Sequence, residues 1–354
     1  MIRITLSHLG PCFLLDERRI LMNSFRKFLP SQVKFIIHVS VFMLVLAAVD
    51  TVRSEVVLHL QDDRVRVESD GELFTEYVYL GHPKPILYPV IGPYGIGMTR
   101  NYPMREDGVG EAEDHPHHQS LWFTHGQVNG VDFWSIKDGA GRIVQDKLIE
   151  TSSGSCRGTI KTANSWLNPA GETVCTDTRR IMFIVDKTTR MIDWATTIHA
   201  SHGDVVWGDT KEGSMGIRTH PRLRLKADPE LGVEVVTGQA VNSEGIGGKE
   251  IWGKRARWVD YWGDIDGHVV GIGIFDHPRN LRHPTWWHAR DYGLVAANPF
   301  GVHNFEGKPP GTGDLTLPAG ENLTLRYRFV FHEGDTDQAE IQMRYKAFAN
   351  DVTR

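Results

Sequence analysis

Cysteine is scarce. The 354 residues contain three, Cys12, Cys156 and Cys175, with no CxxC pair and none of the neighbours expected of a catalytic thiol. An excess of positive charge is also missing: Lys and Arg total 39 against 44 Asp and Glu, a formal charge of −5. No Lys/Arg-rich run lies beyond the N-terminus, which counts against nucleic acid as a partner, because phosphate binding needs a concentrated basic surface. No apolar run reaches the roughly 20 residues of a membrane-spanning helix. HExxH is absent, and His117 is not followed by the glutamate of a cupin-like site. There is no βαβ alternation, internal repeat or low-complexity linker. With 36 Gly, 17 Pro, 40% apolar and 23% charged residues, collagen-like, disordered and polytopic-membrane chains are excluded.

The longest apolar run is Phe35 to Val49, preceded by Arg26, Lys27 and Lys34 and followed by Val52-Arg53-Ser54. A basic segment, a short apolar core and small residues near a cut after Ser54 fit an export signal better than an anchor. Met22 would begin a signal of conventional length. Residues 1–54 are therefore set aside as a signal region, and 55–354 are expected to form one domain, exported and without a stable membrane span after cleavage. Cys156 and Cys175 remain in that domain. One disulfide between them and two separate buried thiols are both open.

From Glu55 onward, short alternating segments are separated by turn residues: Arg64 to Glu68, Leu73 to Leu80, Ile181 to Val185, Met191 to His199, Val269 to Phe275 and Leu323 to Phe331. Asp335 with Gln338 three residues on, then Ile341, Tyr345 and Phe348, predicts a C-terminal helix. The expected fold is all-β, a large antiparallel β-sandwich carrying that helix.

The seventeen histidines gather in two loops. The first runs from Asp114 through His115, Pro116, His117 and His118 into a strand containing Leu121 to Thr124 and on to His125, Asp132 and Trp134. The second runs from Asp276 and His277 through His283, Trp286, Trp287 and His288 to Asn298. Loops dense in His, Trp, Asp and Arg on a rigid sheet are a usual seat of binding or catalysis. Between them, Glu212 and Arg218 sit six residues apart, on one face if both lie in a strand. The arginine could hold a substrate carboxylate or hydroxyl and keep Glu212 ionised as a base. Asp132 reads equally as a turn residue and Trp134 as a core anchor.

Arg100-Asn101-Tyr102-Pro103, His115 to His118 through Asp132-Phe133-Trp134, Lys211-Glu212-Gly213, Phe275-Asp276-His277-Pro278 and Tyr292-Gly293-Leu294 to Asn298-Pro299-Phe300-Gly301 resemble the PmoA-like family of soluble exported bacterial proteins, a domain of unknown function. The likeness covers nearly the whole chain from Glu55. A more distant similarity is to the galactose-mutarotase-like supersandwich, whose sugar epimerases carry an Asn-Arg pair, a His-Gly-Gly segment running into Gly-Phe-Asp and a Trp, and a late Glu base. Arg100-Asn101 and His125 to Trp134 resemble that pattern, with the Asn/Arg order reversed and the second Gly missing. The similarity implies His125 as an acid and Glu212 as a base.

Together these readings predict a carbohydrate-active protein, with acid/base catalysis in an epimerisation, elimination or hydrolysis. His118 or His125 would be the acid and Glu212 the base. Arg100, Arg218 and Asn298 would fix hydroxyls or a carboxylate, Trp287 would form a sugar platform, and His117, Asp132, Asp276, His277, His283 and His288 would complete the binding surface. No cofactor is predicted. A non-catalytic carbohydrate-binding module is one alternative. A metal-dependent hydrolase or oxygenase, with ligands from His117, His118, Asp276 or His277, is the other. The sequence says nothing of oligomeric state.

Overall fold

The structure, a computed structural model, describes residues 54–351 except 109, 187, 188 and 233. The Phe35–Val49 run, its flanking basic residues and Cys12 lie outside the described residues.

The strands follow one another as β1 (Glu55–Leu60), β2 (Arg64–Ser69), β3 (Glu72–Val78), β4 (Ile86–Val90), β5 (Leu121–His125), β6 (Arg142–Ser152), β7 (Gly154–Ser155), β8 (Arg157–Leu167), β9 (Thr173–Asp186) and β10 (Thr189–His199). They continue as β11 (Val205–Trp207), β12 (Gly213–Arg218), β13 (Gln239–Asn242), β14 (Trp258–Ile265), β15 (His268–Asp276), β16 (Trp286–Ala289), β17 (Leu294–Asn298), β18 (Leu315–Leu317) and β19 (Asn322–Glu333). Two α-helices occur among the described residues, α1 (Val302–Glu306) and α2 (Ile341–Ala349).

A nine-stranded sheet has the order β16-β17-β12-β5-β4-β3-β2-β1-β7, and an eight-stranded sheet the order β13-β14-β15-β19-β10-β9-β8-β6. The named strand pairs are antiparallel, so the expected all-β antiparallel sandwich with a C-terminal helix is the observed fold. A third, two-stranded sheet pairs β11 with β18.

Period-two alternation decides which side chains meet between the sheets. On β5, Leu121 and Phe123 point inward and join Phe74, Met215, Trp166, Trp194 and Phe331 in one buried cluster. Each such aromatic or aliphatic side chain contributes roughly 1.5–3 kcal/mol by leaving water. A buried ion pair sits in this core: Arg179 Nη2 donates to Asp177 Oδ2 at 2.9 Å, and Asp177 also accepts from Asn164 Nδ2 and Trp166 Nε1. On the outer side of the nine-stranded sheet, Trp122 instead packs with Val78, Ile86, Trp134, Leu294 and Ala296.

Cys175 is a free, buried thiol, so the Cys156–Cys175 bridge does not form. The C-terminal helix starts later than its capping signal. Asp335 Oδ1 accepts from the Gln338 N–H while Gln338 Oε1 accepts from the Asp335 N–H, closing a separate turn. Glu340 then adopts a left-handed conformation, φ 53°, which an L-residue holds only singly, and α2 begins at Ile341. Its Ile341, Tyr345 and Phe348 pack on Phe275 and Val330, on the outer face of the eight-stranded sheet.

Candidate functional site

Before β5 the chain must turn sharply, and His115 does so at φ 45°, with the His118 N–H bonded to the His115 carbonyl at 2.9 Å. Arg100 holds this loop. Its guanidinium donates to the carbonyls of Tyr102, Ala112, His115 and His118 and to Asp114 Oδ1. All its donor atoms are thereby engaged, which makes it a scaffold for the loop rather than a free ligand for substrate. Asp114 Oδ1 also accepts from Arg218 Nη2 at 2.9 Å, and its other oxygen lies 2.9 Å from His115 Nδ1. Burial works to raise the Asp114 pKa, but the His115 hydrogen bond and the two guanidinium groups overcome it and hold the carboxyl well below the usual range.

Four rings then stack in sequence. Tyr292 and His115 lie 5.4 Å apart, His115 and His118 4.8 Å, and His118 and Trp122 5.5 Å, with interplanar angles of 10°, 1° and 14°. Trp134 closes on the last two, at 5.6 Å from His118 and 5.4 Å from Trp122. Two local features permit this. Asp132 Oδ1 accepts from the Trp134 and Ser135 N–H groups, a turn that aims the indole. Gly216, opposite Trp122 on β12, leaves the room: a Cβ there would stand 2.9 Å from Trp122 Cε2 and Cζ2.

Arg218 Nη1 donates to His118 Nδ1 at 3.4 Å, so the proton of a neutral His118 resides on Nε2. Burial, then the charges of its neighbours, His117 foremost among them, keep its pKa well below the ordinary value and the ring neutral at pH 7. That Nε2 is buried without a partner, as are Trp122 Nε1 and Trp134 Nε1. A buried polar group left unpaired costs about 1–3 kcal/mol, so three donors on adjoining rings form a patch that favours a ligand rich in acceptor oxygens.

Beside this patch lies Lys84, 2% exposed. Its Nζ donates to the His117 carbonyl at 3.0 Å and stands 5.6 Å from the Trp122 ring. Burial lowers its pKa to about 7, with Asp132 opposing. Burial, and next the Lys84 charge, lower His117 to about 4. Glu212 lies close enough to Tyr292 to help raise the phenol's pKa, after the larger effect of burial, and is ion-paired with Lys211. His288 hydrogen-bonds the Lys211 backbone and feels the His115 charge. Its Nδ1 is buried and unpartnered.

The structure thus brings Arg100, His117, His118, Glu212, Arg218 and His288 to one face, with Asp132 beneath Trp134. It places others elsewhere. His125 faces the interior, where Nε2 donates to the Gly208 carbonyl at 2.8 Å, Nδ1 accepts from Ser214 Oγ at 3.3 Å, and the ring packs on Trp207 and Phe300. Trp287 also points inward, fully buried, with its indole N–H on the Ala256 carbonyl. It is therefore no platform for a sugar. Asn298 is fully buried and bridges the Thr210 carbonyl and the Phe300 N–H. Asp276 ends β15 in the other sheet, accepting from Asn280 Nδ2, His283 Nδ1 and the Thr285 N–H, and His277 packs against Phe348 of α2 at 5.0 Å. His117 and His118 therefore do not share a site with Asp276 or His277. Among the described residues, no three His, Cys, Asp or Glu side chains are grouped to hold a metal ion.

Sequence reasoning gave no role to Asp114, Tyr292 or Lys84, while its core reading of Trp134 holds, the indole being 2% exposed within a buried cluster. Lys84 had one signal, a lysine between Pro83 and Pro85 directly before a buried strand. Asp114 adjoins the His-rich motif.

The fold and this face define an antiparallel β-sandwich with a polar-aromatic site on the outer side of one sheet. The chain belongs to the family of unknown function DUF6807, whose model matches residues 64–346. No curated protein matches the sequence. Similar solved structures include an alpha-galactosidase from Lactobacillus brevis, at 10% identity and TM-score 0.40, covering 79% of this chain and 40% of that one. A GH36 alpha-galactosidase from Geobacillus stearothermophilus follows at 13% and 0.36, covering 79% and 40%. A Glycoside Hydrolase Family 97 enzyme from Pseudoalteromonas sp. strain K8 aligns at 9% and 0.32, covering 80% and 34%. The chain thus spans well under half the length of each of these enzymes. No helix among the described residues is long and apolar enough to cross a membrane.

Proposed function

We propose that the outer face of the nine-stranded sheet binds a carbohydrate and moves a proton on it. The observation that carries this reading is the donor patch, the buried and unpartnered N–H groups of His118, Trp122 and Trp134 beside the Tyr292–His115 stack. Sugars offer ring, hydroxyl and carbonyl oxygens to such donors and apolar faces to such rings. Glu212 is the general base in this reading. Neutral His118 donates a hydrogen bond that stabilises charge developing on a substrate oxygen rather than delivering a proton as an imidazolium.

A panel of mono- and oligosaccharides, scored for affinity and for product, tests it. Glu212→Gln should abolish turnover and leave binding within about twofold, while Trp134→Phe, which keeps a ring and removes the N–H, should weaken binding about tenfold. Full activity of E212Q, or no sugar bound at all, would overturn the reading. The Lys211–Glu212 ion pair favours a second reading, a non-catalytic carbohydrate-binding module, because it occupies the carboxylate that would otherwise face substrate. That reading predicts affinity without product. We also read the chain as an exported, PmoA-like protein, for which N-terminal sequencing of secreted material should find a start near Glu55.

A further inference from the structure

The outer face of the eight-stranded sheet, on the far side of the sandwich, holds a second cavity. Lys161, Arg180, Ala195 and Arg326 are direct cross-strand neighbours on β8, β9, β10 and β19. Their chain neighbours Ile160, Ile181, Trp194 and Tyr327 fill the core, so this row points outward by alternation. Strands about 4.8 Å apart spread the three cations over roughly 14 Å, and the small Ala195 leaves a gap between the two arginines. The cavity over them has a volume of about 330 Å³, within the range of about 300–1,000 Å³ usual for small-molecule sites. A parallel row of hydroxyls, Thr178, Thr197 and Thr324, lines one side.

These cations are uncompensated. None of the three forms an ion pair among the described residues, although Glu150 stands opposite Lys161 in the register. The carboxylate lining the cavity, Asp193, is held by Arg328 through bonds of 2.5 and 2.8 Å. Arg326 Nε is buried without a partner, and the Arg279 charge adds to the repulsion around it. A positive row of this kind on a chain of net charge −5 has no structural partner, and an anionic ligand supplies one.

We propose that this row binds an acidic oligosaccharide, carrying carboxylate or sulfate groups, laid across β8, β9, β10 and β19. Charges set apart along a line suit several anionic groups on an extended ligand, whereas a single phosphate would call for donors converging on one point. The threonine hydroxyls suit sugar hydroxyls. Single-stranded nucleic acid needs exposed aromatic stacking platforms, and the aromatic residues lining this cavity, Trp194, Tyr327 and Phe348, are all buried.

Calorimetry on the full chain tests this with a galacturonic acid trimer, a sulfated oligosaccharide of equal length, a neutral galactose trimer, inorganic phosphate and a thymidine oligonucleotide. At least one acidic oligosaccharide should bind tenfold or more tighter than the neutral one, with affinity falling as salt rises, and the two acidic arms identify the anionic group. An Arg180→Gln/Arg326→Gln double variant should lose at least tenfold. If it fails to fold, the Lys161→Gln/Arg180→Gln pair, which leaves the buried Nε of Arg326 untouched, should show the same loss. Trp134→Phe, on the other sheet, should leave this affinity unchanged, which separates the result from the fate of the first site. Equal affinity for neutral and acidic trimers would overturn the proposal. So would unchanged binding by the glutamine variants, loss of binding in W134F, or tighter binding of phosphate or the oligonucleotide.

Discussion

The two histidine-rich loops look alike in sequence and have different fates in the fold. In the second, Asp276 is fully buried and accepts three hydrogen bonds, and His283 continues from it to the Tyr345 hydroxyl at 3.4 Å, tying the sheet to α2. In the first, the backbone and Asp114 are tightly held, yet the ring edges of His118, Trp122 and Trp134 keep unengaged donors. What separates the Asp276 cluster from the His118–Trp122–Trp134 patch is hydrogen-bond saturation rather than residue type; the unpartnered ring nitrogens of the second loop, His277 Nε2 and His288 Nδ1, lie outside that cluster. A saturated cluster stabilises, whereas an unsaturated one on a held frame is prepared for something else to bind.

The largest expected break of this comparison comes from acid, which strikes the buried imidazoles of the first face and the core together. Burial lowers His125 to about 4 and, with Lys211 next in importance, His288 to about 3. The unfolded chain takes up these protons near its ordinary value of 6.5, the folded one only near 4 or below. Stability should therefore be full above pH 6.5 and fall as pH drops towards 4, by a sum on the order of 5 kcal/mol. Urea melts across that range check this, and a flat profile would contradict the neutral, buried state of these rings.

Second in size is Asp276→Ala, which strands three donors in the saturated cluster and should cost about 3 kcal/mol. A loss below about 1 kcal/mol would remove the distinction between the two loops. Comparable in size is the effect of Lys84. Its folded pKa of about 7 lies below the value of 10.5 in the open chain, so the unfolded state binds the proton more tightly between those values. Stability should rise with pH from 7 towards 10, on the order of 4 kcal/mol, and Lys84→Met should abolish that rise. The same melts on both proteins decide it.

Much of the fold was legible because alternation is local. On β5, Leu121 and Phe123 share the core face and Trp122 takes the other, the two sets that period-two alternation separates. Continuing that pattern to His125 already places the ring with Leu121 and Phe123, inside. Trp286, Trp287 and His288 gave no such guide, since three bulky residues in a row fit either phase. Only pairing with β17 turns Trp287 inward and leaves Trp286 and His288 outside. Asp114, Lys84 and Tyr292 were illegible for another reason: each gains its meaning from a partner far along the chain, Lys84 from the His117 carbonyl, Asp114 from Arg218 and Tyr292 from His115. No local spacing encodes those contacts.

One feature of the topology bears on biosynthesis. β19 is the last strand among the described residues, yet it lies between β15 and β10 near the middle of its sheet. Until residues 322–333 leave the ribosome, two long inner edges of that sheet stay open, each able to pair with a stranger. A nascent or truncated chain ending before Asn322 should therefore aggregate or require a chaperone. Residues 322–333 act as the bolt that makes the whole sandwich safe from its neighbours.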